Sequence, residues 1–276
     1  MRILRFGKTG RIAHIAQRAC EVAFSKPDFI TYQRTGGYVH EATNNFFANL
    51  QSCVRSFDKS QFLVIDASID HSNIDALTEH ESFKREAVLW LSKENLLSKV
   101  VGFSSGISLL NQSQIDASAL HMIAYREQKL IQQSFFQSLS CQFYLPNVFT
   151  LLGPITYGRQ SAAWAQVLKA RVNGETQFVI NDPYSERLWV SEYSVFMSLL
   201  NFLRSIVPNN ISGALVDGLF TLDEIASNNF IEDSPSLHYI KGSNNGWLIG
   251  DYKPPGFKLL GKPIAIYPEL TRSLLY

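Results

Sequence analysis

The chain is poor in cysteine, in charge and in long apolar runs, and each shortage argues against a class of protein. Of its 276 residues only three are cysteine (Cys20, Cys53 and Cys141), and no Cys-x-x-Cys spacing occurs. Neither a disulfide framework nor a structural zinc site is indicated, and reduced, partly buried thiols are expected. Charged residues make up 18% of the chain, below the ordinary level of about 25%. With 25 basic and 24 acidic residues the net charge is +1. Such a balance creates no global field to attract a nucleic-acid polymer or an anionic membrane surface. No apolar run approaches the ~18 residues that read as a membrane span. The opening Met1-Arg-Ile-Leu-Arg-Phe is too short for a secretory leader before Gly7 interrupts it. The expectation is a cytoplasmic protein with no metal, no membrane and no nucleic-acid partner.

What is present is a large apolar fraction, 46%, enough for a substantial core. The length suits one large domain, or a core domain with a smaller companion. Short apolar runs alternate with helical periodicity. Strands are predicted at Ile3–Phe6, Phe29–Tyr32, Phe62–Ile65, Val100–Phe103 and Gln142–Leu145. Helices are predicted over Ile12–Phe24, Phe46–Val54, Phe83–Leu97 and Leu120–Leu139. Past Gly153-Pro154 the texture changes. Ser161–Val172 and Ser194–Ile206 read as helices, Gln177–Ile180 and Leu188–Val190 as strands, and the remainder from Pro208 is rich in Pro, Gly, Asn and Ser. Strands separated by helices imply an α/β fold with a doubly wound parallel sheet, whose ligands bind beyond the carboxyl ends of the strands.

The residues just after each strand are therefore the candidates. Gly7-Lys-Thr-Gly10-Arg-Ile-Ala13 joins the first strand to the first helix. Glycines there permit a tight turn and close approach of a pyrophosphate to the backbone, and the helix N-terminus offers free N–H groups. An ordinary β–α turn would carry the same residues. A phosphate-binding P-loop is rejected, because its first glycine position is Arg2. After the second strand comes Tyr32-Gln33-Arg34, with no acid to accept a ribose 2′-hydroxyl. A guanidinium can clamp a 2′-phosphate, so NADP(H) is favoured and NAD(H) is the alternative. A solvated surface arginine fits the same pattern.

Tyr125 and Lys129 are spaced i, i+4, on one helix face, and follow a strand that ends in Ser104-Ser105. The spacing is common by chance; its context gives it weight. A phenol with pKa near 10 is a poor acid–base catalyst, and a nearby ammonium stabilises its anion. Tyr125 is then suited to exchange a proton with a substrate oxygen while Ser105 hydrogen-bonds it.

The motifs stand in one order: Gly7-x-x-Gly10-x-x-Ala13, Phe62-Leu-Val-Ile-Asp-Ala-Ser, Val101-Gly-Phe-Ser-Ser105, Tyr125-x-x-x-Lys129 and Phe149-Thr-Leu-Leu-Gly-Pro154. Glu186-Arg187-Leu-Trp-Val and Gly256-Phe-Lys-Leu-Leu-Gly-Lys-Pro follow. In this order the chain resembles the extended branch of the short-chain dehydrogenase/reductase superfamily, the nucleotide-sugar epimerases, dehydratases and reductases. The resemblance implies a Rossmann-type domain at residues 1–150, receiving also part of 175–195, and a smaller substrate-binding α/β region at 151–276. It implies catalytic roles for Ser105, Tyr125 and Lys129. Cofactor contacts are implied for Gly7, Thr9, Gly10, Arg11 and Ile12, and further for Arg34, Ala67, Tyr125 and Lys129. Substrate contacts are implied for Ser105, Thr150 and Arg187. A homodimer through the Tyr125 helix is usual in such families.

Several positions depart from the family pattern. Thr150 stands where Asn is usual, the acid expected after Trp189-Val190 is ambiguous around Ser191-Glu192-Tyr193, and no Asn occurs around Phe83-Lys-Arg-Glu. Gly106-Ile107 replaces the acidic pair that dehydratases carry after the catalytic Ser/Thr, and neither residue transfers a proton. His121 and Cys141 are the nearest extra bases for a multi-site epimerase, though a structural histidine is the simpler reading. The expectation is an NADPH-dependent reductase of a 4-keto-6-deoxy nucleotide sugar, in cell-surface polysaccharide synthesis. A 4-epimerase with bound NAD is the alternative, and a non-catalytic NADP(H)-binding sensor or scaffold is a second.

Overall fold

The computed structural model describes residues 1–33, 36–57, 61–68, 74–110, 120–152, 177–180, 186–205, 210–221 and 238–241. The expected helix at 161–172, Arg34 and the Leu-Gly-x-x-Pro segment lie outside these residues. The chain forms two compact units. The first comprises Met1–Leu109, Ala117–Asn147 and Val195–Gly213; the second comprises Leu110–Asp116, Val148–Ser194 and Ala214–Tyr276.

The first unit is built on parallel strands β1 (Arg2–Phe6), β2 (Asp28–Tyr32), β5 (Phe62–Asp66), β6 (Leu97–Gly102) and β8 (Gln142–Val148). Their order across the sheet is β8-β6-β5-β1-β2, each neighbouring pair parallel. The direction of strand addition thus reverses between β1 and β5, the crevice in which open α/β sheets bind ligands. Beyond β2 the sheet continues antiparallel through β3 (Tyr38–His40) and β4 (Asn45–Phe47). This hairpin corrects the predicted helix over 46–54. Gly36 and Gly37, at φ +93° and +92°, turn the chain back on β2. Phe46 and Phe47 become strand, and only Leu50–Arg55 (α2) is helical, capped by Asn49 accepting from the Ser52 N–H (2.8 Å).

Helices cover both faces, as a doubly wound sheet requires. On one face Leu4, Phe6, Val64, Val100 and Phe143 pack against Ala87, Val88 and Leu91 of α3 (Ile74–Lys93) and Phe136 of α4 (Leu120–Gln137). The other face carries α1 (Arg11–Ala23) and α5 (Glu192–Arg204). There Tyr144 meets Phe202 with ring centroids 5.5 Å apart, and Arg204 donates to the Val22 carbonyl (3.0 Å). The predicted start of α3 at Phe83 falls nine residues late; after Ile74, Ala76 and Leu77 the run 78–82 is polar and breaks the apolar period.

A buried arginine and a half-buried lysine pin this face. Arg5, on β1, donates to Thr31 Oγ1 (2.7 Å) on β2 and to Gln17 Oε1 (2.8 Å) on α1, and pairs with Glu41. Lys99, on β6, donates to the carbonyls of Phe202, Leu203 and Ser205 at 3.0, 3.3 and 3.0 Å. It thereby adds a donor to the carbonyl acceptors at the end of α5.

In the second unit, β11 (Glu186–Ser191) lies between β9 (Thr150–Leu152), parallel, and β13 (Gly218–Thr221), antiparallel. Strand β10 (Gln177–Ile180) pairs in parallel with β14 (His238–Lys241). The ambiguity after Trp189-Val190 resolves into a serine cap. Ser191 Oγ accepts from the Ser194 N–H (3.1 Å), while Asp217 accepts from the Ser191 N–H and the Ser194 hydroxyl, both at 2.6 Å.

Gly7 and Gly10 differ sharply in what they tolerate. Gly7 sits at φ +87°, and a Cβ there would lie 2.8 Å from the Ala67 carbonyl group and the Ser68 nitrogen. Gly10 is extended (φ −82°, ψ 159°) and a Cβ would meet nothing within 4 Å. Gly7→Ala is expected to cost at least about 1–3 kcal/mol of stability in chemical denaturation, and Gly10→Ala less than about 1 kcal/mol.

Candidate active site

The carboxyl ends of β1, β5 and β6 and the inner face of α4 meet in the first unit. Gly7 follows β1 and backs directly onto Ala67, which follows β5, so the two switch-point strands touch through backbone. Ala67 is buried and its N–H donates to the Phe6 carbonyl (2.9 Å). Thr9 is exposed, and Arg11 and Ile12, half-buried, open α1. Among the described residues no side chain caps this helix and no acid occupies its first turn. Its N–H groups and partial positive charge are therefore open to an anion.

Strand β6 continues through Phe103 into β7 (Ser104–Ser105), and a 3₁₀ turn over Gly106–Leu109 follows. Helix α4 lays Tyr125, Lys129, Gln132 and Gln133 along this edge, at helical spacings. The Tyr125 phenol hydrogen-bonds the Ser105 side chain, and the Lys129 ammonium lies 5.7 Å from the Tyr125 ring centroid. The three predicted catalytic residues are thus brought together.

Their electrostatics differ from the expectation in one respect. Burial pushes the Tyr125 phenol up to about 12, opposed by its bond to Ser105. Lys129 does not offset this, because its ammonium is turned onto the Phe103 carbonyl (2.8 Å) and Gln132 Oε1 (3.0 Å). Burial in turn pushes Lys129 down to about 8, against the upward pull of Asp66 and Glu81.

Two polar networks support these groups, and neither was anticipated from sequence. Gln133 Nε2 donates to Ser104 Oγ (3.1 Å), Ser108 Oγ (3.0 Å) and Asn147 Oδ1 (2.8 Å), while Ser108 donates to the Ser105 carbonyl (2.8 Å). This holds the backbone that carries Ser105. The second network is ionic. Asp66, at the end of the otherwise apolar β5, receives Lys84 Nζ at 3.0 and 2.9 Å, the Ser68 hydroxyl at 2.9 Å and Gln132 Nε2 at 3.1 Å. Lys84 also pairs with Glu81. Burial would raise the Asp66 carboxyl, but the Lys84 ammonium and these hydrogen bonds hold it below the ordinary carboxylate range. Lys84 is raised by Asp66 and Glu81 in spite of its burial, and Glu81 is raised by burial and by Asp66. The one signal in the sequence was an acid closing a run of four apolar strand residues.

Other predicted residues fall elsewhere. Thr150 and Arg187 lie in the three-stranded sheet of the second unit, where Trp189 is the register partner of Thr150 and Phe220 that of Arg187. Arg34 and the side chain of His121 lie outside the described residues. Cys141 is placed wrongly to serve as a base. It precedes β8, whose Gln142 is level with Lys99 near the start of β6, so it sits at the amino ends of the strands, opposite Ser105. Cys20 and Cys53 are free and buried. Among the described residues no helix is long and apolar enough to cross a membrane.

No protein-family model and no curated sequence matches the chain. Solved structures do. A GDP-L-fucose synthetase from Naegleria fowleri is 14% identical, covering 99% of this chain and 92% of its own, at TM-score 0.62. The UDP-N-acetylglucosamine 4-epimerase from Bacillus cereus is 12% identical over 100% and 96%, at TM-score 0.67. The dTDP-glucose 4,6-dehydratase from Bacillus anthracis, solved with NAD, is 11% identical over 99% and 96%, at TM-score 0.65. The chain shares the fold of these three enzymes. The motif order had pointed to this architecture.

The ionic network yields a stability prediction. Lys84→Met leaves Asp66 buried without its main counter-charge and is expected to cost about 3–5 kcal/mol. In the variant burial raises the Asp66 pKa in the folded state, so the native state takes up the proton more readily than the unfolded chain. The deficit should therefore be largest at neutral pH and shrink as pH falls. Urea titrations of both proteins across the acid range measure this, with Lys84→Met/Asp66→Leu recovering most of the loss.

Proposed function

We propose that the protein is an NADPH-dependent reductase of a 4-keto-6-deoxy nucleotide sugar. The observation that carries the reading is the convergence of Ser105, Tyr125 and Lys129 at the carboxyl edge of the sheet, beside the Gly7–Ala67 switch point. A phenol kept protonated by burial is in the form needed to give a proton to a carbonyl oxygen, which supports reduction over initial oxidation of an alcohol. One of the N. fowleri synthetase structures was solved bound to NADP.

A dinucleotide fits the residues present. The uncapped start of α1 suits a pyrophosphate, and the backbone of Gly7 carries no Cβ that would separate it from Ala67. Gly7, Thr9, Gly10, Arg11 and Ile12 would hold the phosphates, Ala67 would line the crevice, and Arg34, directly after β2, would take the 2′-phosphate. When bound, the nicotinamide supplies a hydride. Tyr125 gives its hydroxyl proton to the substrate carbonyl oxygen, and Ser105 orients that oxygen. Lys129, its ammonium seated on the Phe103 carbonyl, adds only longer-range positive charge near the phenolate that remains, and would hold a ribose hydroxyl of the dinucleotide. Solvent then returns the proton to Tyr125. In this reading the first unit binds the cofactor, and the second, with Thr150 and Arg187, takes the nucleotide sugar.

Tyr125→Phe is expected to lower kcat for NADPH-dependent reduction of a 4-keto-6-deoxy nucleotide sugar by about 10²–10⁴-fold, with NADPH still bound by fluorescence. Full turnover in this variant would overturn the assignment. Epimerised product without net NADPH consumption would establish the epimerase instead, and bound NADPH that no keto-sugar oxidises would indicate a sensor. Arg34→Asp should move the preference from NADPH toward NADH, read as the ratio of kcat/KM for the two cofactors.

A further inference from the structure

Behind the site Lys129 heads a continuous chain of polar side chains, and its other four members, Gln132, Asp66, Lys84 and Glu81, have no part in the reaction above. Three elements contribute to it, and Lys84, Asp66, Lys129 and Gln132 are all buried. Burying four ionisable groups together is costly unless each is paired, so the arrangement restricts where each charge can sit.

The link between the ions is an amide. Gln132 receives Lys129 on Oε1 (3.0 Å) and gives Nε2 to Asp66 Oδ2 (3.1 Å). An ammonium offers only donors and a carboxylate only acceptors. The two neighbours therefore fix which way the amide points, and the amide bridges cation to anion without adding a charge of its own. Gln132 and the Phe103 carbonyl occupy two of the three Lys129 N–H groups among the described residues, leaving one for a bound hydroxyl.

The charges facing Lys129 come from every side of this cluster. Asp66 stands on β5, Glu81 and Lys84 on α3, and Tyr125 on α4 itself. Arg85 lines the same cavity, of about 20 Å³, as Asp66, Glu81 and Lys84. Taken as ionised, Lys129, Lys84, Asp66 and Glu81 sum to zero, so the loss of any one unbalances the others.

We propose that Gln132 and Asp66 are positioning residues for Lys129, fixing its ammonium on the Phe103 carbonyl, and that Lys84 limits how strongly Asp66 holds the charge on Lys129. The proposal deepens the reductase reading, since it is through Lys129 that these residues reach the reaction. Removing Gln132 or Asp66 weakens the protonated form of Lys129, and removing Lys84 strengthens it.

A titration of the lysine ammonium nitrogen by ¹H–¹⁵N NMR, on the full-length labelled protein, tests this directly. Lys129→Arg identifies the resonance. Gln132→Met, close in volume and uncharged, should lower the Lys129 midpoint by about one pH unit, and Gln132→Glu should raise it. Lys84→Met should also raise it; loosened packing would wet Lys129 and raise its midpoint in any variant, so the fall in Gln132→Met is the result that packing loss cannot produce. Asp66→Asn should lower it furthest; if that variant does not fold, the two Gln132 variants decide. Unchanged midpoints in Gln132→Met and Gln132→Glu would overturn the proposal. The readout needs no turnover, so failure to reduce any keto-sugar would sink the reductase reading and leave this result standing. Where turnover is found, the alkaline limb of the kcat–pH profile should follow the NMR midpoint from variant to variant, with KM for the sugar unaffected.

Discussion

A carboxylate buried at the end of an apolar strand is the constraint around which this structure is arranged. Asp66 closes β5, the central strand, and is buried there. A carboxylate in such a place costs several kcal/mol unless cations and donors surround it. Lys84 from α3 and Gln132 from α4 do so, with Ser68 from the next turn. The register of both helices against the sheet is thereby set at one point. Because Tyr125 and Lys129 ride on α4, the same point places both side chains.

The next two residues of the chain face a different requirement. Ala67 and Ser68 back onto Gly7, so closely that no side chain fits between them. One edge of the sheet thus combines a charge held on the α3–α4 face with a bare backbone crevice at the switch point. An anion-accepting helix start opens from that crevice. The combination suits a dinucleotide and a carbonyl substrate meeting over a phenol, and the buried network supplies rigidity without reaching the reacting atoms.

Much of this was legible in residue order. The parallel strands, the glycine turn and the Ser105–Tyr125–Lys129 grouping follow from local period and from what may follow a strand. The errors are informative. Phe46 and Phe47 look helical in isolation, but the turn over 41–44, with Asn44 at φ +58°, folds them onto β3, and pairing overrides local preference. Cys141 looks close to the site along the chain, yet parallel register carries it to the far end of the sheet. Lys84 looks like one more surface lysine until β5 presents Asp66 to it.

The sequence by itself determined most of the elements, their alternation and the fold they imply, and it nominated Ser105, Tyr125 and Lys129. These are short-range matters, decided by periodicity over a few turns and by residues adjacent to strand ends. Only the tertiary structure decided the electrical state of the site: a phenol raised to about 12, a lysine lowered to about 8 and a carboxylate held charged by a lysine eighteen positions away. Such states depend on how deeply a group is buried and on which charges lie within a few ångströms of it. Distance along the chain predicts neither, because packing brings Gln132 to Asp66 across sixty-six residues.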